Sequence, residues 1–267
     1  MQVIDFRARP NTAEYLRMWQ GLQQQRFLEK LGRTLPGPAS LEAFVDELDR
    51  NQIQRAVFTG RQQVRNGTVS FGVANDYVLE CQKDYPDRIV GFAGIDISQA
   101  AADAVAEVRR AAGLGFKGVS LDITGDTILG DVAYAVYDAC VKLRLLVIVT
   151  MGAFVRPIVD PWQLDRIATD FPSLRVIGSH ACYPQVTELV AVAYRNEHVF
   201  LECSLYVYLP GAEPFIDAAR SLIRDKVLYA SSYPLHPLDT VERFRALGLP
   251  DDALELILYR NAAGLLA

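Results

Sequence analysis

Several features that identify common protein classes are missing from this sequence. The formal net charge is −5 at pH 7 and the basic residues are scattered, so no basic face predicts a nucleic-acid partner. Apolar runs such as residues 145–149 are too short to cross a bilayer. No glycine-rich phosphate loop follows a strand-like segment, so a nucleotide or dinucleotide site cannot be placed. We therefore expect no nucleic-acid partner, no membrane insertion and no cofactor.

Cysteine is also scarce, and the four cysteines lack the close paired spacing of a disulfide or metal motif. The first residues, Met1 to Asp5, contain neither a basic region nor an apolar leader. These features predict a reduced, cytoplasmic protein. Cys182 and Cys203 follow or end strand-like segments and are candidate nucleophiles, although filling a buried site is the commoner role of such cysteines.

Only three histidines occur, at His180, His198 and His236. His180 follows the strand-like residues 176–179, and Pro184 and a helical pattern come after it. In a barrel of alternating strands and helices, the loop after a strand is where chemistry occurs, and the ordinary pKa of histidine lies near neutrality. His180 is therefore a candidate general base or acid; the alternative is a histidine that hydrogen-bonds within a loop. His198 precedes a strand and belongs at the opposite end.

Hydrophobic residues make up 51% of the 267-residue chain and recur in alternating strand-like and helix-like segments. Eight strand-like segments, each followed by a helical pattern, predict an α/β fold, specifically a (β/α)8 TIM barrel forming one domain over residues 1–267. A doubly wound open sheet is the alternative. The first predicted strand begins at residue 3, and the other seven cover 56–60, 89–95, 115–122, 145–150, 176–179, 199–204 and 227–231.

The connection after the first strand is unusually long. Residues 11–39 include a helix-like patch from Thr12 to Leu31 and a segment rich in glycine and proline. Insertions of this length are typical of lids and oligomer contacts. We expect a helical insertion here and a homo-oligomer.

Two arginines, Arg7 and Arg9, end the first predicted strand at positions i and i+2, which places both side chains on the same side of an extended chain. The guanidinium fork matches a carboxylate with two parallel hydrogen bonds, so this pair predicts a small anionic substrate. The alternative is a structural network with Asp5, Asp122 or Glu202. Both roles can coexist, because a carboxylate can orient an arginine that also holds substrate.

Five segments stand out by their order and spacing along nearly the whole chain. They are Ile4-Asp5-Phe6, Gly115-Phe116-Lys117-Gly118-Val119, Val176-Ile177-Gly178-Ser179-His180, Ser231-Ser232-Tyr233-Pro234 and Asn261-Ala262-Ala263-Gly264-Leu265-Leu266. Together they resemble the amidohydrolase-related family, the barrel hydrolases and decarboxylases of the metal-dependent hydrolase superfamily. The resemblance implies a TIM barrel with hydrolase or lyase activity.

The metal-ligand pattern of that family is largely missing. Arg7 and Arg9 occupy the places of the family's His-x-His, Thr150 replaces a histidine, Ser232 replaces an aspartate, and His180 alone matches. Guanidinium groups and unactivated hydroxyls do not ligate zinc, and two fixed positive charges repel a divalent cation. We therefore predict no metal at the usual site. The alternative is a rebuilt metal site from His180, His236, Glu202 and Asp122.

Three functions follow from these residues. The first is a metal-independent hydrolase of a lactone or related acyl bond, in which Arg7 and Arg9 hold the anion and His180 activates water. The second is a metal-independent decarboxylase with a tyrosine or histidine as proton donor. The third is a barrel without catalysis that binds an acidic ligand or a protein partner. Candidate substrate contacts are Asp122, Thr150, Glu202, Tyr206, Tyr208, Ser232 and His236.

Overall fold

The computed structural model describes residues 1–66, 68–121, 126–152, 157–180, 183–204 and 206–267. The strands are β1 (Val3–Asp5), β2 (Ile53–Thr59), β3 (Arg61–Arg65), β4 (Thr68–Val73), β5 (Ile89–Gly94), β6 (Gly118–Leu121), β7 (Leu146–Thr150), β8 (Val176–Ser179), β9 (Val199–Glu202) and β10 (Val227–Leu228). Eight of them form one sheet in the order β1-β2-β5-β6-β7-β8-β9-β10, and every neighbouring pair is parallel.

The sheet closes between the first and the last strand. The N–H of Phe6 donates to the carbonyl of Tyr229 at 2.9 Å, and the N–H of Ser232 donates to the carbonyl of Arg7 at 3.0 Å. Ala8 and Tyr233 also form a parallel bridge. Closure confirms the predicted TIM barrel and excludes the open sheet.

Helices surround this barrel. They are α1 (Ala13–Leu16), α2 (Leu22–Leu31), α3 (Leu41–Arg50), α4 (Asn75–Asp84), α5 (Ala101–Gly113), α6 (Asp131–Leu143), α7 (Pro161–Asp170), α8 (Val186–Arg195), α9 (Glu213–Ala219), α10 (Thr240–Arg245), α11 (Asp251–Glu255) and α12 (Asn261–Leu266). Ser40 caps α3 as its sequence predicts, because its Oγ accepts the N–H of Ala43 at 3.1 Å. None of the described helices is long and apolar enough to span a membrane.

Alternate residues of the barrel strands point inward and form a core separate from the one under the helices. This inner core also includes residues of α12, so the last helix closes the barrel at the end opposite the loops that follow the strands. Its members are Ile4, Phe6, Val57, Val90, Phe92, Leu146, Ile148, Ile177, Leu228, Ala262, Leu265 and Leu266. The helical pattern predicts a last helix that ends at about Leu258 and a short tail after it, so α12 corrects that expectation.

The first crossover is helical, as predicted, but it is interrupted. A 3₁₀ turn, Arg17–Trp19, lies between α1 and α2. A second insertion follows β2: the strands β3 and β4 pair antiparallel as a hairpin that the sequence analysis does not predict. The carboxylate of Asp96 holds this hairpin by accepting the N–H of Val64 at 2.8 Å.

Candidate active site

Glu202, the last residue of β9, is the centre of a hydrogen-bond network at the mouth of the barrel. Its Oε1 accepts the hydroxyl of Ser179 at 2.9 Å, and its Oε2 accepts the N–H groups of Ser204 at 2.7 Å and His180 at 3.2 Å. Only 1% of Glu202 is exposed. Because Ser179 and His180 lie at the end of β8, this carboxylate joins the ends of two neighbouring strands.

His180 directly follows β8 and is buried. Its φ angle is +60°, a left-handed conformation that a residue other than glycine rarely adopts. The ring nitrogen Nδ1 lies 2.7 Å from Oγ of Ser204, and the ring of Tyr206 packs edge-on at 5.9 Å. With Nδ1 engaged by Ser204, Nε2 is the nitrogen left to act on a substrate.

Arg7 brings a buried positive charge to the same mouth. Its Nε lies 3.8 Å from Oε1 of Glu202. Within the part of the chain that the structure describes, Nε and Nη1 of Arg7 are buried without a hydrogen-bond partner. Native structures seldom leave buried donors unsatisfied, so these two N–H groups are suited to an anionic ligand.

Arg9 is also buried, and its Nε donates to the hydroxyl of Thr59 at 3.0 Å at the end of β2. The alternative prediction is that the arginines pair with carboxylates in a structural network. Arg7 fits this alternative in part, because its Nε lies 3.8 Å from Oε1 of Glu202. Asp5 contributes differently, because its Oδ1 accepts the backbone N–H groups of Arg7 at 3.1 Å and Ser231 at 3.0 Å.

Burial and charge determine the protonation states. Burial and the positive charge of Arg7 together lower the pKa of His180 to about 4, although the carboxylate of Glu202 raises it in part, so the ring is neutral at pH 7. Burial alone would raise the pKa of Glu202, but His180, Arg7 and the hydrogen bonds of Ser204 outweigh burial and hold that pKa below its ordinary value. Burial raises the pKa of Asp5 to about 6.

The other predicted contacts lie on several strand ends and loops of the mouth. Thr150 ends β7 and is buried, and Ser232 follows β10 with φ of +61°. Tyr208 lies further out, where its hydroxyl donates to the carbonyl of Thr240 at 3.2 Å. His236 is buried in the loop after β10. Asp122, the remaining predicted contact, lies outside the described residues.

Cys203 is a poor nucleophile in this setting. It is buried, its Sγ lies 3.5 Å from the carbonyl oxygen of Leu228, and burial raises its pKa far above the ordinary value. A reactive cysteine requires the opposite shift, because the thiolate is the nucleophile. Cys182, the other candidate, lies outside the described residues.

The residues described at the mouth do not fit a catalytic metal. In the ranges described, no three histidine, cysteine, aspartate or glutamate side chains converge on a point where an ion would be held. Both carboxylate oxygens of Glu202 already accept protein hydrogen bonds, and Arg7 stands 3.8 Å from one of them. A divalent cation would face this fixed positive charge.

Ser179 and Ser204 are not among the predicted site residues, although both contact Glu202 and Ser204 also contacts His180. Their only signal is position: Ser179 and Glu202 are register partners on β8 and β9. The pairing of β8 with β9 places the hydroxyl of Ser179 beside the carboxylate of Glu202, and a single sequence does not reveal that pairing.

Known proteins resemble the chain at the levels of family and fold. An uncharacterised TIM-barrel protein from Bordetella bronchiseptica is 30% identical with a TM-score of 0.85, covering 100% of this chain and 98% of that chain. A 2,6-dihydroxybenzoate decarboxylase from Rhizobium is 15% identical with a TM-score of 0.73, covering 100% and 99%. A manganese complex of 5-carboxyvanillate decarboxylase from Novosphingobium aromaticivorans is 17% identical with a TM-score of 0.72, covering 99% and 96%. The search of curated proteins found no match.

The two decarboxylases are too distant in sequence to show more than the shared barrel. The family model described as Amidohydrolase matches residues 8–267, which is nearly the whole chain. This match confirms the resemblance seen in the sequence. The chain therefore belongs to the amidohydrolase family.

Proposed function

We propose that this protein is a metal-independent hydrolase that opens a lactone or a related acyl bond in a small carboxylate-bearing molecule. The observation that carries the proposal is a neutral, buried His180 beside Arg7, whose Nε and Nη1 are buried without a hydrogen-bond partner in the described ranges. A neutral imidazole accepts a proton, and a buried guanidinium with unsatisfied donors binds an anion.

In the proposed reaction, Nδ1–H of His180 donates to Ser204, and Nε2 carries the lone pair. Nε2 takes a proton from water as the water oxygen forms a bond to the acyl carbon. Arg7 and Arg9 hold the substrate carboxylate or the developing oxyanion. The carbon–oxygen bond of the lactone then breaks, and the imidazolium returns the proton to the leaving oxygen. Water is consumed, and one alcohol and one carboxylic acid are formed; the new acid then releases its proton to the solvent at neutral pH.

The charges around His180 suit this cycle. Arg7 lowers the pKa of His180 in the unliganded protein. An anionic substrate on Arg7 would offset that positive charge, so the pKa of His180 would rise and the ring would become a stronger base when substrate is present. The carboxylate of Glu202 then stabilises the imidazolium formed during proton transfer.

Metal independence is part of the proposal and is supported by the residues themselves. In the family pattern, the positions of Arg7, Arg9 and Thr150 hold histidine ligands. Guanidinium groups have no lone pair for a metal, and they repel divalent cations. Fixed cations take over the stabilisation of negative charge that a metal supplies elsewhere.

Decarboxylation is the second candidate, because solved structures with the same fold include two enzymes described as decarboxylases. A metal-independent decarboxylase needs an acid to protonate the carbanion. The predicted acids are Tyr206, Tyr208 and His236, and the hydroxyl of Tyr208 already donates to the carbonyl of Thr240. The neutral ring of His180 favours a base that activates water, so hydrolysis is the first candidate.

The test compares γ-butyrolactone bearing a ring carboxylate with unsubstituted γ-butyrolactone, in water enriched in oxygen-18. We expect faster turnover of the carboxylate-bearing lactone and one labelled oxygen in its product. His180→Gln should lower kcat by about a hundredfold or more, as expected for loss of a general base. His198→Gln, at the other end of the barrel, is the matched control and should retain activity.

Carbon dioxide release from 2,6-dihydroxybenzoate or 5-carboxyvanillate, the acids named for the two decarboxylases, would instead favour the second candidate. Binding of carboxylic acids without turnover of either class would favour a barrel that has lost catalysis. Unchanged lactone hydrolysis in both His180→Gln and Arg7→Gln would contradict the assigned roles.

A further inference from the structure

A second group of cationic and aromatic side chains lies at the rim of the barrel mouth, outside the site around His180. Arg33 follows α2 on the first crossover, and its Nη2 lies 3.2 Å from Nδ1 of His236, in the loop after β10. A guanidinium nitrogen can only donate, so Nδ1 of His236 is the acceptor. This hydrogen bond joins the crossover to the mouth, but its acceptor is an uncharged nitrogen and does not neutralise Arg33.

Arg243 of α10 adds a second positive charge to this group. Its guanidinium lies 4.0 Å from the centre of the Tyr208 ring, and that ring lies 6.2 Å from the ring of His236. The four side chains come from four separate segments of the chain and meet at one edge of the mouth. We call Arg33, Tyr208, His236 and Arg243 the rim cluster.

Neither arginine of the rim cluster has an ion pair with a carboxylate within the residues that the structure describes. Other arginines on the surface are paired: Arg245, on the same helix as Arg243, pairs with Glu242, and Arg110 pairs with Asp76 and Glu107. An uncompensated pair of guanidinium groups beside two aromatic rings is an arrangement suited to an anion on a flat molecule.

We propose that the rim cluster binds a second acidic group of the substrate, so that the preferred substrate is a dicarboxylate. The inference rests on the proposed function, because Arg7 is taken to hold the first carboxylate. Arg33 and Arg243 bind the second carboxylate, and Tyr208 and His236 contact the spacer between the two acidic groups. Arg33 thereby makes the first crossover part of the binding site.

The experiment measures dissociation constants of benzoate and of its three dicarboxylate relatives, phthalate, isophthalate and terephthalate, by calorimetry on the full chain. We expect at least one dicarboxylate to bind about tenfold more tightly than benzoate, in keeping with one added charge-assisted contact. Arg33→Gln and Arg243→Gln should each remove most of that difference while leaving benzoate affinity unchanged. Arg17→Gln, an exposed arginine on the same crossover, is the matched control.

Two results would overturn the rim cluster as a second subsite. One is that no dicarboxylate binds more than about threefold more tightly than benzoate; the other is that Arg33→Gln weakens benzoate and the dicarboxylates equally. Arg7→Gln separates this inference from the proposed function, because it should weaken all four ligands. If Arg7→Gln leaves benzoate binding unchanged, the first anion site is wrong, whatever the rim variants do. Thermal unfolding of each variant shows whether it is folded.

Discussion

The side chain of Glu202 accepts the backbone N–H of His180 at 3.2 Å, and His180 has a left-handed φ of +60°. Such a conformation is unfavourable by about 1–2 kcal/mol for a residue with a Cβ. The carboxylate also accepts two more donors, from Ser179 and Ser204. The position of the candidate base thus depends on a carboxylate whose oxygens are all used within the protein.

Replacing this carboxylate should therefore affect both stability and activity. In Glu202→Gln the amide keeps one acceptor oxygen, but Arg7 loses its buried counter-charge. We expect the free energy of unfolding to fall by about 3–5 kcal/mol, the usual range when one partner of a buried ion pair is removed. Urea denaturation measures the loss. Glu197→Gln, at an exposed position, should change stability by less than about 0.5 kcal/mol; equal effects of the two variants would show that Glu202 has no special role.

The pKa of His180 is directly measurable. Nuclear magnetic resonance of its imidazole should show a pKa of about 4, well below the ordinary value of 6.5. The value of kcat/KM should therefore fall only as the pH approaches 4. Arg7→Gln should raise this pKa, because the guanidinium disfavours the imidazolium. The unfolded chain takes up the proton first, so His180 contributes a loss of stability as pH falls from 6.5 to about 4. A pKa of His180 near 6.5 would contradict the buried, neutral base.

Asp5 should show the opposite dependence on pH. Burial raises its pKa from 3.8 to about 6, so ionising it within the fold removes stability as pH rises through that interval. Asp5→Asn keeps an acceptor for the N–H groups of Arg7 and Ser231 and removes the buried charge. Relative to wild type, the variant should gain on the order of 2 kcal/mol between pH 4 and pH 7. His180 titrates in wild type and in Asp5→Asn alike, so the difference between their free energies of unfolding reports on Asp5. If that difference does not change with pH, the raised pKa of Asp5 is wrong.

Gly152 tests how closely the residues around His180 pack. Its φ is +82°, and an added Cβ would lie 2.7 Å from the ring of Tyr206 and 3.1 Å from the carbonyl oxygen of His180. Gly152→Ala should destabilise the protein by about 1–3 kcal/mol and lower kcat, because the ring and His180 must shift. Gly37→Ala is the control, since an added Cβ there meets nothing within 4 Å. A Gly152→Ala protein as stable and active as wild type would show that this packing is loose.

Much of the fold could be predicted from local patterns. Hydrophobic periodicity predicts helices at about Asn75 to Asp84 and Asp131 to Leu143, which are the bounds of α4 and α6, because each helix buries one face at helical spacing. The sequence of the β3–β4 hairpin contains Asn66-Gly67, a dipeptide typical of hairpin turns, but most of its strand residues are polar and part of its support is the distant Asp96, so the hairpin is not among the predicted elements. The helix α12 is not predicted either, because the segment is short and contains Gly264, and its stability comes from packing against the inner core at the end of the barrel.

The same division applies to the candidate site. Arg7, His180 and Glu202 lie at or just after the ends of strands, so the predicted barrel alone brings them to one mouth. The contact between Ser204 and His180 depends on how the strands pair, and the protonation state of His180 depends on its burial. No local sequence pattern encodes either of them. Arg33 reaches His236 across 203 positions of sequence, and only the path of the first crossover reveals that contact.

We propose that fixed arginine charges replace a metal at this mouth. The most direct test measures metal content by elemental mass spectrometry and hydrolysis of the carboxylate-bearing γ-butyrolactone in one preparation, expressed with zinc and manganese supplied, before and after treatment with a chelator. We expect far less than one metal ion per chain and a rate that the chelator does not change. A stoichiometric metal whose removal abolishes hydrolysis, and whose return restores it, would show that the arginines do not replace a metal.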